Sequence, residues 1–170
     1  TNTVNVSLSH RMASVRIALR EGTGFAKGEW ADASKSVLVS GTGRAASIDL
    51  ADGSVKVDGE VDGSGIIPSR TGDEWRAIVV PQKLPAGTKL VAITVDGLPY
   101  SFARVEEFTF VAGKQHNFTI NVNKKPEGDF EFVLLDESIT AWENDPLSHD
   151  GVAREYVVVN VPAAGTLEQC

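Results

Sequence analysis

A glycine-rich segment, GTGRAA at residues 41–46, is the closest approach in this sequence to a nucleotide-binding motif. A dinucleotide site requires a strand, a glycine turn and then a helix whose N-terminus holds the pyrophosphate. Only six residues separate Ala46 from Gly53, and Ile48 and Leu50 alternate with polar residues as they would in a strand. A plain hairpin turn therefore explains the segment better than a nucleotide site does.

The segment Asp58–Gly63 resembles the opening of a calcium-binding loop. Asp58, Glu60 and Asp62 occupy the first, third and fifth positions, and a glycine follows, which suits a hard cation. The position that should carry a bidentate glutamate is Ser69, so the motif is incomplete. The sequence predicts no metal requirement and equal melting temperatures in calcium and in chelator.

Candidate catalytic groups are few and scattered. The three histidines, His10, His116 and His149, lie far apart, without the spacing of a metal site. The one cysteine, Cys170, is the last residue, and no Gly-x-Ser-x-Gly motif is present. No local pair of carboxylates has an apolar neighbour that would raise a pKa. We predict no enzymatic activity and no cofactor.

The three tryptophans, Trp30, Trp75 and Trp142, are candidates for a platform on which sugars stack. Large aromatic side chains more often anchor a core. Trp30 is the strongest candidate for a sugar contact because its sequence neighbours are polar and charged. A glycan-binding module is thus the alternative function that the sequence leaves open.

Charge and hydropathy exclude two classes of partner. The formal net charge is −7, with 16 basic and 23 acidic residues, so the chain lacks the excess of cations that nucleic-acid binding needs. No apolar run approaches the roughly 18 residues of a membrane helix. Contact with a membrane is therefore expected only through a lipid anchor outside this chain.

The elements that would position these residues are strands. Apolar and polar residues alternate with a period of two, which indicates strands with one buried face. The pattern recurs at Val4–Leu8, Val15–Leu19, Val91–Val95, Leu98–Phe102, Phe118–Val122 and Phe130–Leu134. The sequence predicts an all-β protein, and short strands at this spacing are typical of a sandwich.

One segment, Ser9–Leu19, is ambiguous. Ser9 could cap a helix whose apolar face is formed by Met12, Val15 and Leu19. The strand interpretation is favoured because Val15 and Ile17 are β-branched.

Turn residues separate the predicted strands. Asp96–Gly97 joins two alternating segments and predicts a type I′ hairpin. Gly113, in an Ala-Gly-Lys turn, predicts a second hairpin between Phe108–Val111 and His116–Val122. Gly59–Gly72 is rich in Gly, Ser and Asp, which predicts a loop.

Composition changes after Trp142. The segment Glu143–Asp150 is polar, Tyr156–Val161 is strongly β-prone, and Pro162–Gly165 resembles a linker. We predict a β-sandwich domain over residues 1–142, and a terminal strand and linker over 143–170 that lead toward a downstream domain. Tyr156–Val161 is apolar on both faces, so it is expected as an edge strand on the sandwich or as a bridge to that domain.

Three stretches together resemble the fimbrillin-like (Mfa-like) family of Bacteroidetes surface proteins. The first is Val4–Ala13, where a strand ends in Ser-His before a second strand. The second stretch has three parts in order. They are a strand that ends in Pro-Gln (Ala77–Gln82), a hairpin with a tyrosine after its turn (Val95–Tyr100), and a Gly-Lys turn (Phe110–Lys114). The third is the closing Ile-x-x-Trp at Ile139–Trp142. The residues that form this structural signature are His10, Pro81, Gln82, Tyr100, Gly113 and Trp142.

The resemblance implies a transthyretin-like antiparallel β-sandwich, the second domain of a two-domain lipoprotein on the outer face of the outer membrane. It implies a role as pilus subunit, tip protein or adhesin, with other protein domains, pilus subunits or a host protein or glycan as partners. Residues 161–167 resemble the lead-in to leucine-rich-repeat modules of related surface proteins. His10 is expected to fix the corner between two strands through bonds to nearby backbone, and His10→Ala to cost about 1–3 kcal/mol.

Overall fold

The computed structural model describes residues 9–59, 61 and 63–142. Within them, strands provide almost all of the regular structure, and the helix α1 (Glu29–Asp32) has four residues. The all-β prediction is confirmed. No helix in this part of the chain could span a bilayer. The predicted strands at Val4–Leu8 and Tyr156–Val161 lie outside the described residues.

In chain order the strands are β1 (Ala13–Glu21), β2 (Lys35–Val39), β3 (Ala45–Ile48), β4 (Val55–Asp58), β5 (Ser69–Thr71), β6 (Glu74–Val79), β7 (Gln82–Leu84), β8 (Lys89–Val95), β9 (Leu98–Ala103), β10 (Phe108–Phe110), β11 (Lys114–Lys124) and β12 (Phe130–Ala141). The large sheet has the order β12-β11-β1-β6-β5, and a second sheet has the order β2-β8-β9. Two small sheets pair β10 with β7 and β3 with β4.

The core lies between the large sheet and the sheets opposite it. Phe118 on β11 contacts the rings of Phe102 on β9 and Phe108 on β10, at centroid distances of 6.5 and 5.9 Å. One continuous cluster of buried apolar residues includes side chains from both layers. Each large side chain that is fully buried there contributes about 1.5–3 kcal/mol, so the two layers hold each other in place.

The central strand β1 confirms the strand interpretation of the ambiguous N-terminal segment, and the alternative helix is wrong. β1 runs antiparallel to β6 but parallel to β11, with Ser14 opposite Gln115 and Glu21 opposite Val122. The resemblance implied an antiparallel sandwich, and this pair departs from that expectation. The parallel pair is central, and Val15, Ile17 and Ala18 are completely buried, as parallel strands usually are.

The hairpin at Asp96–Gly97 is confirmed. Both residues have positive φ, 47° and 81°, as a type I′ turn requires, and Val95 pairs with Leu98. The side chain of Asp96 also accepts the backbone N–H of Ser34 at 2.9 Å, which ties the turn to the start of β2.

The second predicted hairpin is wrong. A turn does form around Gly113, but β10 pairs with β7, whereas β11 pairs with β1 and β12. The turn carries the chain from one layer to the other, so that Phe108 and Phe110 pack onto the inner face of β11 instead of extending its sheet.

The glycine-rich segment at residues 41–46 leads into β3 and not into a helix, which removes the basis of a nucleotide site. It is not a hairpin either, because β2 pairs with β8 whereas β3 pairs with β4. The predicted loop Gly59–Gly72 contains the short strand β5, which pairs with β6.

Candidate functional site

An apolar groove lies between β9 and β12. These strands are the edges of their respective sheets, so each offers one side without a strand partner among the described residues. Between them lies a cavity of about 320 Å³. Its apolar lining comes from both layers and comprises Ile93, Phe102, Ile120, Phe130, Phe132 and Leu134.

Some of the exposed apolar side chains lie on the two strands beside this groove. Leu135 and Ile139 on β12 are 57% and 53% exposed, and Leu98 on β9 is 41% exposed. These three residues lie on the edge strands without lining the cavity itself, and isolated apolar residues at a surface are ordinary.

The two edges differ in their capacity to accept a further strand. Val95 and Leu98 flank a two-residue turn and form a hydrogen-bonded pair, so by alternation the backbone of Pro99 faces the open side of β9. Proline has no N–H, and this edge is therefore blunted.

The edge of β12 is longer and contains no proline, although the N–H of Phe130 at its start is already bonded to Tyr100 and Asp129. The N–H of Lys124 donates to the carbonyl of Thr23, away from β12, at 2.8 Å. Lys124 pairs with Phe130, so the backbone groups of Phe130, Phe132 and Leu134 face the open side. A register shift opposite Thr119 and Ile120 leaves Leu135 as an extra residue near the middle of the edge.

Tyr100 connects the two edges at one end of the groove. Its hydroxyl donates to the carboxylate of Asp129 and accepts the N–H of Phe130 at 3.0 Å. Burial, followed by the hydrogen bond to Asp129, raises the pKa of Tyr100. The same hydrogen bond lowers the pKa of Asp129. The Tyr100 ring also packs on Phe132, with centroids 4.4 Å apart.

Arg104 connects the edges at the other end. It follows β9 directly and forms an ion pair with Glu137 of β12, and both side chains are about a quarter exposed or less. Its guanidinium also lies over the ring of Phe108, 5.1 Å from the centroid. The groove is therefore bounded by two polar contacts, each joining one edge strand to the other layer.

Tyr100→Phe should lower the free energy of unfolding by about 1 kcal/mol, because the hydrogen bond to Asp129 is lost and Phe130 N–H keeps one of its two acceptors, Asp129 at 2.9 Å, while the ring contacts remain. Denaturant unfolding gives this value. Hydrogen exchange of the Phe130 amide should also become faster than in the unsubstituted chain. Unchanged exchange would show that the hydroxyl does not hold the two edges together.

The signature residues do not form one site. His10, Gly113 and Trp142 meet at one corner, where the ring of His10 stacks on Trp142 at a centroid distance of 4.0 Å. Tyr100 lies at the groove. His10 is an exposed residue, and its energetic role stays a prediction.

Gln82 lies apart from both places, directly after Pro81 at the start of β7. Its amide accepts the N–H of Gly43 at 2.9 Å and donates to the carbonyls of Gly43 and Val80 at 3.1 and 3.0 Å. Gln82 thus ties the glycine-rich segment to the end of β6, which is a structural use of its side chain.

The sugar-stacking hypothesis for Trp30 is wrong. Trp30 is 8% exposed and Trp75 2%, so neither ring offers a face to a sugar. The indole N–H of Trp30 donates to Asp73 at 2.7 Å, and the ammonium of Lys35 lies 4.0 Å from the ring centroid. Trp142, half-buried, is covered on one face by His10.

Among the described residues, no three His, Cys, Asp or Glu side chains cluster as metal ligands would. Glu60, Asp62 and His149 lie outside those residues, so the expectation that calcium does not change the melting temperature stays a prediction. His116 is 1% exposed and lies on the inner face of β11.

The sequence pattern did identify Phe102 and Phe132 as inward-facing residues. It did not indicate that their strands are edges, because strand order depends on pairings between distant segments. Arg104 and Glu137 carried no local signal at all, since their ion pair joins residues 33 positions apart.

Comparison with known proteins adds two findings. Residues 1–142 match the sequence model of the fimbrillin-like family. Among curated proteins, none matches this chain.

Solved structures with a similar fold include two Bacteroides proteins, both provisionally assigned to cell adhesion. The protein from Bacteroides uniformis ATCC 8492 has a TM-score of 0.59 and 20% identity. The protein from Bacteroides ovatus ATCC 8483 has a TM-score of 0.51 and 14% identity. The matches cover 79% of this chain, but 52% and 46% of those proteins, so this chain spans about half of their length.

Proposed function

Because this chain belongs to the fimbrillin-like family, we propose that it is a non-enzymatic cell-surface domain, a structural subunit or an adhesin or tip component of a fimbria-like assembly. The fold shared with two proteins assigned to cell adhesion supports this proposal. In the parent protein, a lipid anchor outside this chain would hold the domain at the outer face of the outer membrane.

The observation that carries the proposal is the open edge of β12 beside the apolar groove. An unpaired edge presents N–H and C=O groups to an incoming strand, and a groove beside it gives alternate side chains of that strand an apolar environment. The partner that fits is an extended polypeptide segment, apolar at every second position, from another domain or subunit. It pairs with β12 and not with β9, since Pro99 blunts the latter.

Residues 143–170 form a separate unit in this proposal, with the sandwich ending at Trp142. The segment Tyr156–Val161 has the composition of such an incoming strand, with Val157, Val159 and Val161 at alternate positions. In this proposal the segment either pairs with the β12 edge of its own domain or connects this domain to a downstream domain.

A peptide-binding measurement tests this function. The probe is a labelled peptide with the sequence of residues 155–162, added to the full chain carrying Val159→Asp, so that the chain's own segment competes poorly. Anisotropy should show saturable binding. Leu135→Lys should weaken it at least about tenfold, because a lysine on an edge opposes strand addition.

The matched control is Leu50→Lys. Leu50 is 89% exposed, at a distance from β12 in sequence and sheet, and its replacement should leave binding unchanged. No binding to the Val159→Asp chain, or equal weakening by both lysine variants, would show that the β12 edge is not a docking site.

A further inference from the structure

The two ends of the described sandwich meet at one corner, through contacts that include one aromatic pair and two backbone hydrogen bonds. The ring of His10 lies nearly parallel to that of Trp142, at an angle of 11° and a centroid distance of 4.0 Å. Gly113 N–H donates to the carbonyl of Met12 at 2.8 Å, and Trp142 N–H donates to the carbonyl of Gly113 at 3.2 Å. We call these four residues the corner clasp.

Gly113 is the part of the clasp that no other residue can replace without strain. Its φ is +69°, which favours glycine, and a Cβ atom there would lie 3.1 Å from the carbonyl oxygen of His10. The clasp therefore depends on the close approach of two backbone segments as well as on the stacked rings.

The direction of the strands explains why both ends are here. β1 begins beside the clasp, β11 runs parallel to it from the same end of the sheet, and β12 returns antiparallel to finish opposite Lys114. The backbone at His10 and the backbone at Trp142 consequently lie at a single corner of the described sandwich.

We propose that the corner clasp is the contact that resists tension on the chain. This inference rests on the proposed function, since a surface domain with chain on both sides is pulled through those two segments. Without the clasp, tension would peel β12 from β11 one residue pair after another, beginning at Lys114 and Ala141. A sheet loaded in that direction has its hydrogen bonds broken singly, which requires little force.

With the clasp closed, the stack and both hydrogen bonds are loaded together before any strand pair is. The clasp must therefore open before the pulling force reaches the strand pairs of the sandwich. A domain that is tethered on one side and engaged on the other would in this way tolerate transient pulling without losing its fold.

Single-molecule force spectroscopy on the full chain tests the clasp, with handles directly beside it at Ser9→Cys and Glu143→Cys, and with Cys170→Ser. At constant force, Trp142→Ala should shorten the lifetime of the folded domain roughly three- to tenfold, the change expected from losing one aromatic stack. Trp142→Phe keeps an aromatic face for His10 and should retain most of the lifetime.

A second pulling geometry separates this role from general stability. Moving the second handle from residue 143 to the β11–β12 turn, with Glu127→Cys in place of Glu143→Cys, removes Trp142 from the path of the force. Trp142→Ala should then have a much smaller effect. Equal shortening in both geometries, or none in the first, would overturn the proposal. No partner is present in this measurement, so its failure would leave the docking function at β12 untouched.

Discussion

Replacing Trp30 with alanine is expected to lower the free energy of unfolding by about 3–5 kcal/mol, the range for removing a large aromatic side chain from a core. The ring is 8% exposed and packs edge-on against Phe25, with centroids 5.2 Å apart. The truncation would leave a cavity in the core cluster, since Trp30 is the buried residue of the four-residue α1.

Two polar partners add to this cost. Asp73 would lose the indole N–H that it accepts at 2.7 Å, and Lys35 would lose the aromatic face beneath its ammonium. The Lys35 side chain is 2% exposed. Its ion pair with Asp73, at 3.1 Å, would remain after the truncation but would lie beside the new cavity. A buried cation that loses part of its favourable environment destabilises the folded state further.

Denaturant unfolding of the Trp30→Ala chain measures this effect, and Trp142→Ala serves as a matched control. Because Trp142 is only half-buried, its truncation should cost clearly less, about 1 kcal/mol. Suppose instead that the Trp30→Ala chain unfolds like the unsubstituted chain but no longer binds a glycan array. That result would contradict the burial of Trp30 and support the glycan-binding function.

The contrast between Trp30 and the Asp96–Gly97 hairpin shows how far sequence reasoning reaches in this protein. The hairpin is specified by neighbouring residues, because only residues that tolerate positive φ fit a type I′ turn. Trp30 has charged neighbours in sequence, which suggested exposure. It is buried because its ring packs into the core cluster and against Phe25, while Asp73, 43 residues away, accepts its indole N–H.

The same limit applies to the groove. Alternation identified the inward faces of β9 and β12 correctly, since a period of two depends only on the local chain. Whether a strand is central or at an edge depends on which distant segments pair with it. The mistaken pairing of β10 with β11 has this cause, since adjacency in sequence favoured a hairpin whereas the turn at Gly113 connects two layers.

Lowering the pH from 7 to 5 is expected to destabilise the domain through His116. The imidazole is 1% exposed and lies between the rings of Phe108 and Phe110 at 5.4 and 5.2 Å. Its Nε2 atom accepts the N–H of Val111 at 3.0 Å, so that atom carries no proton. Burial lowers the pKa of His116 from its ordinary value of 6.5, and the negative charge of Glu137 opposes this shift only in part.

A depressed histidine pKa fixes the sign of the effect. Well above pH 6.5, His116 is neutral in both the folded and the unfolded state, and its contribution to stability is fully present. As the pH falls below 6.5, the unfolded chain binds a proton that the folded chain resists, so the free energy of unfolding decreases. Protonation in the folded state would also break the bond from Val111. Among the charged groups near His116, Glu137 is itself paired with Arg104, which limits its compensation.

Thermal melts between pH 7 and pH 5 measure this linkage, and His116→Gln is the matched control. Glutamine keeps an acceptor for the Val111 N–H but does not titrate, so the fall in melting temperature should become clearly shallower. Carboxylates such as Glu74, whose pKa the hydrogen bond from Arg16 lowers below 4.5, lose their contribution only at lower pH and do not obscure this window. His116→Ala should be much more disruptive, costing about 3 kcal/mol at pH 7, because it leaves a cavity between two phenylalanine rings and a backbone donor without a partner. If the melting temperature falls equally steeply with pH in the unsubstituted chain and in the His116→Gln chain, His116 does not control the acid sensitivity of the fold.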